Sequence, residues 1–215
     1  PIEALSKGAG HGVDFLVAHG LLPLASLIIE PAKVLFLNNA VNHGVLTPLG
    51  IQQATENGKS ILFLLEANPG PGAGLLLAYA VFGSGVAKNT GPAALIIQFF
   101  GGIHEIYFPY VLLKPLTLLA TIAGGMVGIF TLVVFGAGLR APAAPGSIIA
   151  VYAQTPGNSL VGVTLSVLFA AVANTWLLGR RHDAVDLKSL PLILGRTAAA
   201  AAVGTAAAGG VYYLL

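Results

Sequence analysis

Residues 116–139 read LTLLATIAGGMVGIFTLVVFGAGL, without a single charged side chain. A helix needs roughly 20 apolar residues to cross the hydrocarbon of a bilayer. This stretch is long enough, and the pair Gly124 and Gly125 at its centre is of the kind that lets helices approach closely. The composition around it agrees. Of the 215 residues, 56% are hydrophobic and 8% are charged, and the mean hydropathy is +0.86. A soluble domain carries about 25% charged residues; so few could not cover a water-facing surface, whereas lipid demands no such cover. The fold class expected is an all-α integral membrane protein, a transmembrane helix bundle.

A second uncharged span covers residues 160–178, ending near Trp176 and followed by Arg180 and Arg181. With Lys188 and Arg196 these mark a cytoplasmic side, because short cytoplasmic loops concentrate Lys and Arg. Working back, Lys114 is expected inside and Arg140 outside. The other apolar stretches are interrupted: residues 15–37 by His19, Pro23, Glu30, Pro31 and Lys33, residues 61–82 by Glu66 and an NPGPG turn, and residues 93–113 by the motif GGIHEIYFP. Freed backbone groups find no partner in lipid, so such breaks predict re-entrant or broken helices buried in protein or lining a wet cavity. Transporters hold substrates at breaks of this kind. GSGVAKNTG, residues 83–91, lacks the Walker spacing and reads as a loop. The tail after Arg196 is rich in Ala and Gly, and a further span and an interfacial helix are both open for it. The start, PIEALSKG, reads as the continuation of something longer.

A net charge of +2 from scattered Lys and Arg offers no nucleic-acid footprint. The absence of cysteine excludes disulfides, thiolate metal sites and a cysteine nucleophile within these residues. The five histidines are too dispersed to form a metal site, and no cofactor fingerprint is present.

Four polar clusters fall at or near membrane depth: LNNAVNHG (residues 37–44), LLEANPGPG (64–72), QFFGGIHEIYFP (98–109) and PAAPGS (142–147). Ionisable groups are expensive there and are candidate functional residues by default. Asn38, Asn39, Asn42 and His43 are neighbours on a helix. They could bond between helices or line an aqueous loop; equally, carboxamides and a neutral imidazole suit a polyol, since each both donates and accepts. Glu66 and Asn68 flank a Pro/Gly turn that is either a plain helix end or a re-entrant turn exposing both side chains to a cavity. His104 and Glu105 are presented at a break, where Gly101 and Gly102 permit a backbone that Pro109 then keeps from continuing as regular helix. Glu105 could cap a helix or pair with His104 or a lysine; a carboxyl beside an imidazole is also suited to passing a proton.

EPAKVLFLNNAVNHGVLTPLG (residues 30–50), LLEANPGPGAGLLLAY (64–79), GGIHEIYFPYVLL (101–113) and APAAPGSIIAV (141–151) resemble the mannitol-specific IIC components of the bacterial phosphoenolpyruvate-dependent sugar phosphotransferase system. The resemblance implies that residues 1–181 are the carboxy-terminal, substrate-binding part of a IIC permease domain, lacking its first spans, and that 182–215 form a divergent tail. It implies a multi-pass permease of the bacterial cytoplasmic membrane, homodimeric when full-length, which takes up mannitol and releases mannitol 1-phosphate. The activity implied is that of a protein-phosphocysteine–mannitol phosphotransferase, its phosphate supplied by a phosphorylated IIB partner. The Glu of the GIHE motif, associated with substrate binding in that family, falls on Glu105, and the His of the NHG motif on His43. In the mechanism expected, Glu105 holds the reacting end of the polyol and accepts its proton as a general base. His104, His43, Asn39, Asn42, Glu66 and Asn68 complete the binding set. The alternative is a proton- or ion-coupled polyol transporter that releases its substrate unmodified.

Overall fold

The computed structural model describes residues 8, 11–12 and 15–179. Arg180, Arg181, Lys188, Arg196 and the expected tail 182–215 lie outside them. Among the described residues the chain is helical, and extended pairing is limited to one isolated bridge between Ser60 and Leu139. The helices are α1 (Ser26–Val34), α2 (Asn38–Val41), α3 (Thr47–Asn57), α4 (Leu62–Ala67), α5 (Gly70–Phe82), α6 (Gly85–Phe99), α7 (Phe108–Leu113), α8 (Thr117–Val134), α9 (Ile148–Gln154) and α10 (Leu160–Gly179).

Two of them, α8 and the segment Gly157–Gly179 that contains α10, are long and apolar enough to cross a membrane. At about 1.5 Å per residue, 18 and 20 helical residues reach roughly 27 and 30 Å, the thickness of the hydrocarbon. The first expected span is therefore shorter than residues 116–139: the chain leaves helix after Val134, and Leu139 turns back to exchange both backbone hydrogen bonds with Ser60.

Small residues decide how these helices meet. On α5 a β-carbon at Gly70 would lie 2.5 Å from the Val167 carbonyl and 2.8 Å from the Ala170 β-carbon, and one at Gly74 would lie 2.8 Å from that of Asn174. On α8 a β-carbon at Gly124 would press on Ala170 and Asn174, and one at Gly128 on Ala170 and Ser166. The order of these contacts runs α5 parallel and α8 antiparallel to α10. Each helix carries a Gly-x-x-x-Gly step, and the two steps seat α10 at backbone distance, the packing that lipid-embedded helices use in place of a hydrophobic drive. The antiparallel pair also puts Lys114 at the end where α10 finishes and Arg140 at the other. On its remaining side α10 exposes Val161, Leu168, Val172 and Trp176, an apolar stripe suited to lipid and hazardous in water.

Each interrupted stretch is broken, though not always where expected. The NPGPG run is helical from Gly70 onward, so the break shrinks to Asn68 and Pro69. Pro71 fits in the first turn of α5 because its missing N–H would have had no intrahelical partner. Residues 83–91 are not a loop: helix α6 begins at Gly85 and runs through Pro92. Gly91 there is a packing residue, since a β-carbon would meet the Ala80 backbone nitrogen of α5 at 3.2 Å. Helix α6 ends at Phe99, and the chain resumes as a single 3-10 turn, His104–Tyr107, before α7. The break expected at Gly101 and Gly102 is thus present.

Candidate substrate site

The asparagine-rich segment is built as one helix with a wide turn in it. Between α2 and α3, Asn42–Leu46 form a π-helical turn in which the Thr47 N–H donates to the Asn42 carbonyl, five residues back. Pro48 explains it: it has no N–H for the Gly44 carbonyl, and in a regular helix its ring would press on that oxygen. The turn aims Asn42 at Glu66. Asn42 Nδ2 donates to Glu66 Oε2 at 3.3 Å and Asn38 Nδ2 to Oε1 at 3.5 Å, while Thr47 Oγ1 donates to Asn42 Oδ1 at 3.3 Å. One half-buried carboxylate at the end of α4 is held by two carboxamides from another element. The Asn39 and His43 side chains are exposed; the Asn39 carbonyl accepts from the Asn42 N–H.

Asn68 does not join this group. It is buried, with Oδ1 accepting from the Gly70 N–H at 2.9 Å and Nδ2 donating to Ser166 Oγ on α10 at 3.1 Å. Ser166 Oγ in turn donates to the Gly128 carbonyl of α8 at 2.8 Å. Asn68 is thus the cap of a broken helix and a cross-link among three helices, and both ends of its amide are engaged inside the protein. The neighbouring carbonyls of Pro69 and Pro71 accept from Gln98 Nε2 at 3.1 Å and Asn174 Nδ2 at 2.6 Å, so the start of α5 is clamped on two sides.

The turn His104–Tyr107 is held at both ends. His104 is buried and donates from Nε2 to the Gly146 carbonyl at 2.9 Å, which fixes its tautomer and ties the turn to the loop at residues 142–147. Tyr107 is buried and its hydroxyl faces Glu30 Oε2 of α1 at 3.4 Å, a long hydrogen bond. Glu30 Oε1 accepts from Lys33 Nζ at 2.9 Å, and both charged side chains are at most 2% exposed. Between the two anchors Glu105 is exposed. The polar groups therefore fall into two hydrogen-bonded sets, Glu66 with Asn38 and Asn42, and Glu30 with Lys33 and Tyr107 at the end of the turn. No group of three or more potential metal ligands occurs among the described residues.

Of the residues that the sequence reading brought forward, Asn42 and Glu66 bond each other, while His104 and Glu105 lie on the turn. Asn38, read there among the helical neighbours of Asn42, bonds Glu66; the reading passed over Tyr107, which anchors the turn. Glu30 and Lys33 it took only as interruptions of a span. Their i, i+3 spacing in an apolar run was the available signal, since only a paired charge is tolerated at such depth.

Known proteins resemble the chain over most of its length. It is 64% identical over 173 residues to the PTS system mannitol-specific EIICBA component of Pasteurella multocida, covering 80% of this chain and 28% of that protein. The EIICB component of Bacillus subtilis is 60% identical over 173 residues, 80% and 36% of the two lengths, and the EIICBA component of Escherichia coli 58% over 181 residues, 82% and 28%. The chain thus spans about a third of the length of these curated relatives. No family model and no solved structure matches it. Over the 173–181 residues matched, the chain is similar to mannitol-specific EII components of the PTS.

Proposed function

We propose that this chain is the substrate-binding part of a sugar-phosphotransferase IIC permease, which binds mannitol in the membrane and presents it for phosphorylation to mannitol 1-phosphate. The observation that carries the reading is 58–64% identity, across four-fifths of the chain, to proteins named for that sugar and that system. The polar groups agree with it. Glu105 stands exposed on a turn fixed from both sides, Glu66 carries two carboxamides, and carboxylates and amides are what replace the hydration of a neutral polyol. Glu105 binds the reacting hydroxyl and accepts its proton as the phosphoryl group arrives. His43, Asn39, Asn42, His104 and Glu66 orient the other hydroxyls, directly or through one another, and Asn68 acts by holding the break. Little covalent chemistry falls to these residues, because positioning supplies most of what phosphoryl transfer requires.

The relatives are named as EIICB or EIICBA components, and on this reading the phosphate comes from a phosphocysteine of a IIB domain or protein, in a cytoplasmic-membrane assembly that is homodimeric when complete. The ion-coupled alternative draws no support from the relatives above. Membranes carrying the chain, given labelled mannitol with and without phosphorylated IIB, test the reading. Mannitol 1-phosphate should form only when IIB is present; phosphorylation without it, or mannitol uptake driven by an ion gradient alone, would overturn the proposal.

A further inference from the structure

The ion pair of Glu30 and Lys33 demands an explanation, because a buried pair is seldom worth its desolvation as a source of stability and well-packed apolar residues often do as well. Helix α1 already has apolar packing: Ile29 sits in a core cluster with Leu46, Leu62 and Ile129, and Ser26 Oγ bonds the Ile122 carbonyl of α8 at 2.9 Å. What the pair adds is direction. Lys33 holds one oxygen of Glu30, which leaves the other facing the Tyr107 hydroxyl. Tyr107 is the last residue of a turn only four residues long, entered through a break and left directly into α7. Its ring is fitted closely as well: a β-carbon at Gly72 of α5 would lie 2.6 Å from it, and Phe108 meets it edge-on at 5.1 Å between centroids.

We propose that Glu30, Lys33 and Tyr107 are positioning residues for Glu105. Glu30, oriented by Lys33, fixes one end of the turn through Tyr107 while Gly146 fixes the other through His104, so that the exposed carboxylate between them meets its ligand with little reorganisation. A group held in place before binding loses less freedom on binding. This inference rests on the reading of Glu105 as the polyol ligand.

The test is a double-mutant cycle on mannitol affinity, measured by binding to membranes carrying the chain as wild type, Tyr107→Phe, Glu105→Gln and the double variant. Tyr107→Phe keeps the packed ring and removes one long hydrogen bond to the Glu30 carboxylate, worth less at that length than a close bond to a charged group, so affinity should fall about two- to tenfold. If Tyr107 acts through Glu105, adding the change to Glu105→Gln should cause little further loss, whereas an independent structural effect would multiply. A second variant, Glu30→Gln with Lys33→Met, leaves no unpaired buried charge; it should keep wild-type protein levels and still bind mannitol more weakly. Wild-type affinity in Tyr107→Phe, multiplying losses, or full affinity in the neutralised pair overturns this inference while leaving the site reading intact. Wild-type affinity in Glu105→Gln overturns the site reading and the inference with it.

Discussion

Gly102 and Ser147 touch backbone to backbone: a β-carbon on Gly102 would lie 2.6 Å from the Ser147 nitrogen and 2.9 Å from the Pro145 side chain. This contact joins the break after α6 to the loop before α9, the same loop that supplies the Gly146 carbonyl to His104. Gly102 also has φ +75°, the left-handed region that other residues enter at a penalty.

Gly102→Ala should therefore weaken mannitol binding without unfolding the membrane helices. Strain of about 1–3 kcal/mol is expected for a residue forced into that backbone and against that neighbour. Affinity in membranes, set against the amount of extractable folded protein, checks this. A variant that binds as wild type would show that the junction does not hold the turn.

Glu105→Gln keeps the size of the side chain and removes its charge, so mannitol binding should fall by about 1.5–3 kcal/mol, the worth of a hydrogen bond to a charged group. His43→Ala should cost less, about 0.5–1.5 kcal/mol, because a neutral hydrogen bond is lost. Equilibrium binding of labelled mannitol separates the two. An effect of His43 larger than that of Glu105 would reverse the roles assigned to them.

Asn68→Ala should act on stability first. It strips the Gly70 N–H of its acceptor at a buried site, and leaving such a group unsatisfied costs about 1–3 kcal/mol, while Ser166 Oγ loses the Asn68 donor but keeps its bond to the Gly128 carbonyl. Thermal unfolding in detergent should show a lowered midpoint, and the protein that remains folded should retain most of its affinity. A folded, wild-type-stable variant that has lost binding would return Asn68 to the ligand set.

The contrast between Asn68 and Glu66 shows what the sequence disclosed and what it withheld. That α8 and α10 are membrane-length helices was legible, because lipid imposes a run of uncharged residues and nothing in the fold can override it. That the GGIHE run breaks a helix was legible too, from the glycines and Pro109. Which polar side chains meet was not. Asn38 and Asn39 are adjacent and chemically identical, yet Asn38 points to Glu66 and Asn39 outward, and the wide turn at Asn42–Leu46 shifts the phase of everything after it. The Gly, Lys, Asn and Thr of residues 83–91 look like loop chemistry but form helix, because α6 packs on α5 through Gly91 and tertiary contact outweighs local propensity.

The two Gly-x-x-x-Gly steps that seat α10 lead to the last prediction. Gly74 faces the Ala171 carbonyl and the Asn174 side chain, while Asn174 Nδ2 donates to the Pro71 carbonyl at 2.6 Å. A larger residue at Gly74 cannot be accommodated by a rotamer change, since the obstacle is backbone, and must push α5 from α10. That movement would pull Pro71 off Asn174 and Asn68 off Ser166, both of which depend on the same close approach. Gly74→Leu should therefore cost more than the about 1–3 kcal/mol of ordinary overpacking, and the affected helix is the one whose start is clamped beside the candidate site. Gly85→Ala, at a position where a β-carbon meets nothing within 4 Å but φ is +59°, serves as the comparison, carrying backbone strain without helix separation. Thermal midpoints in detergent for the two variants decide the matter: Gly74→Leu should be much the less stable, and equal losses would mean that α5 and α10 are not held together by this contact.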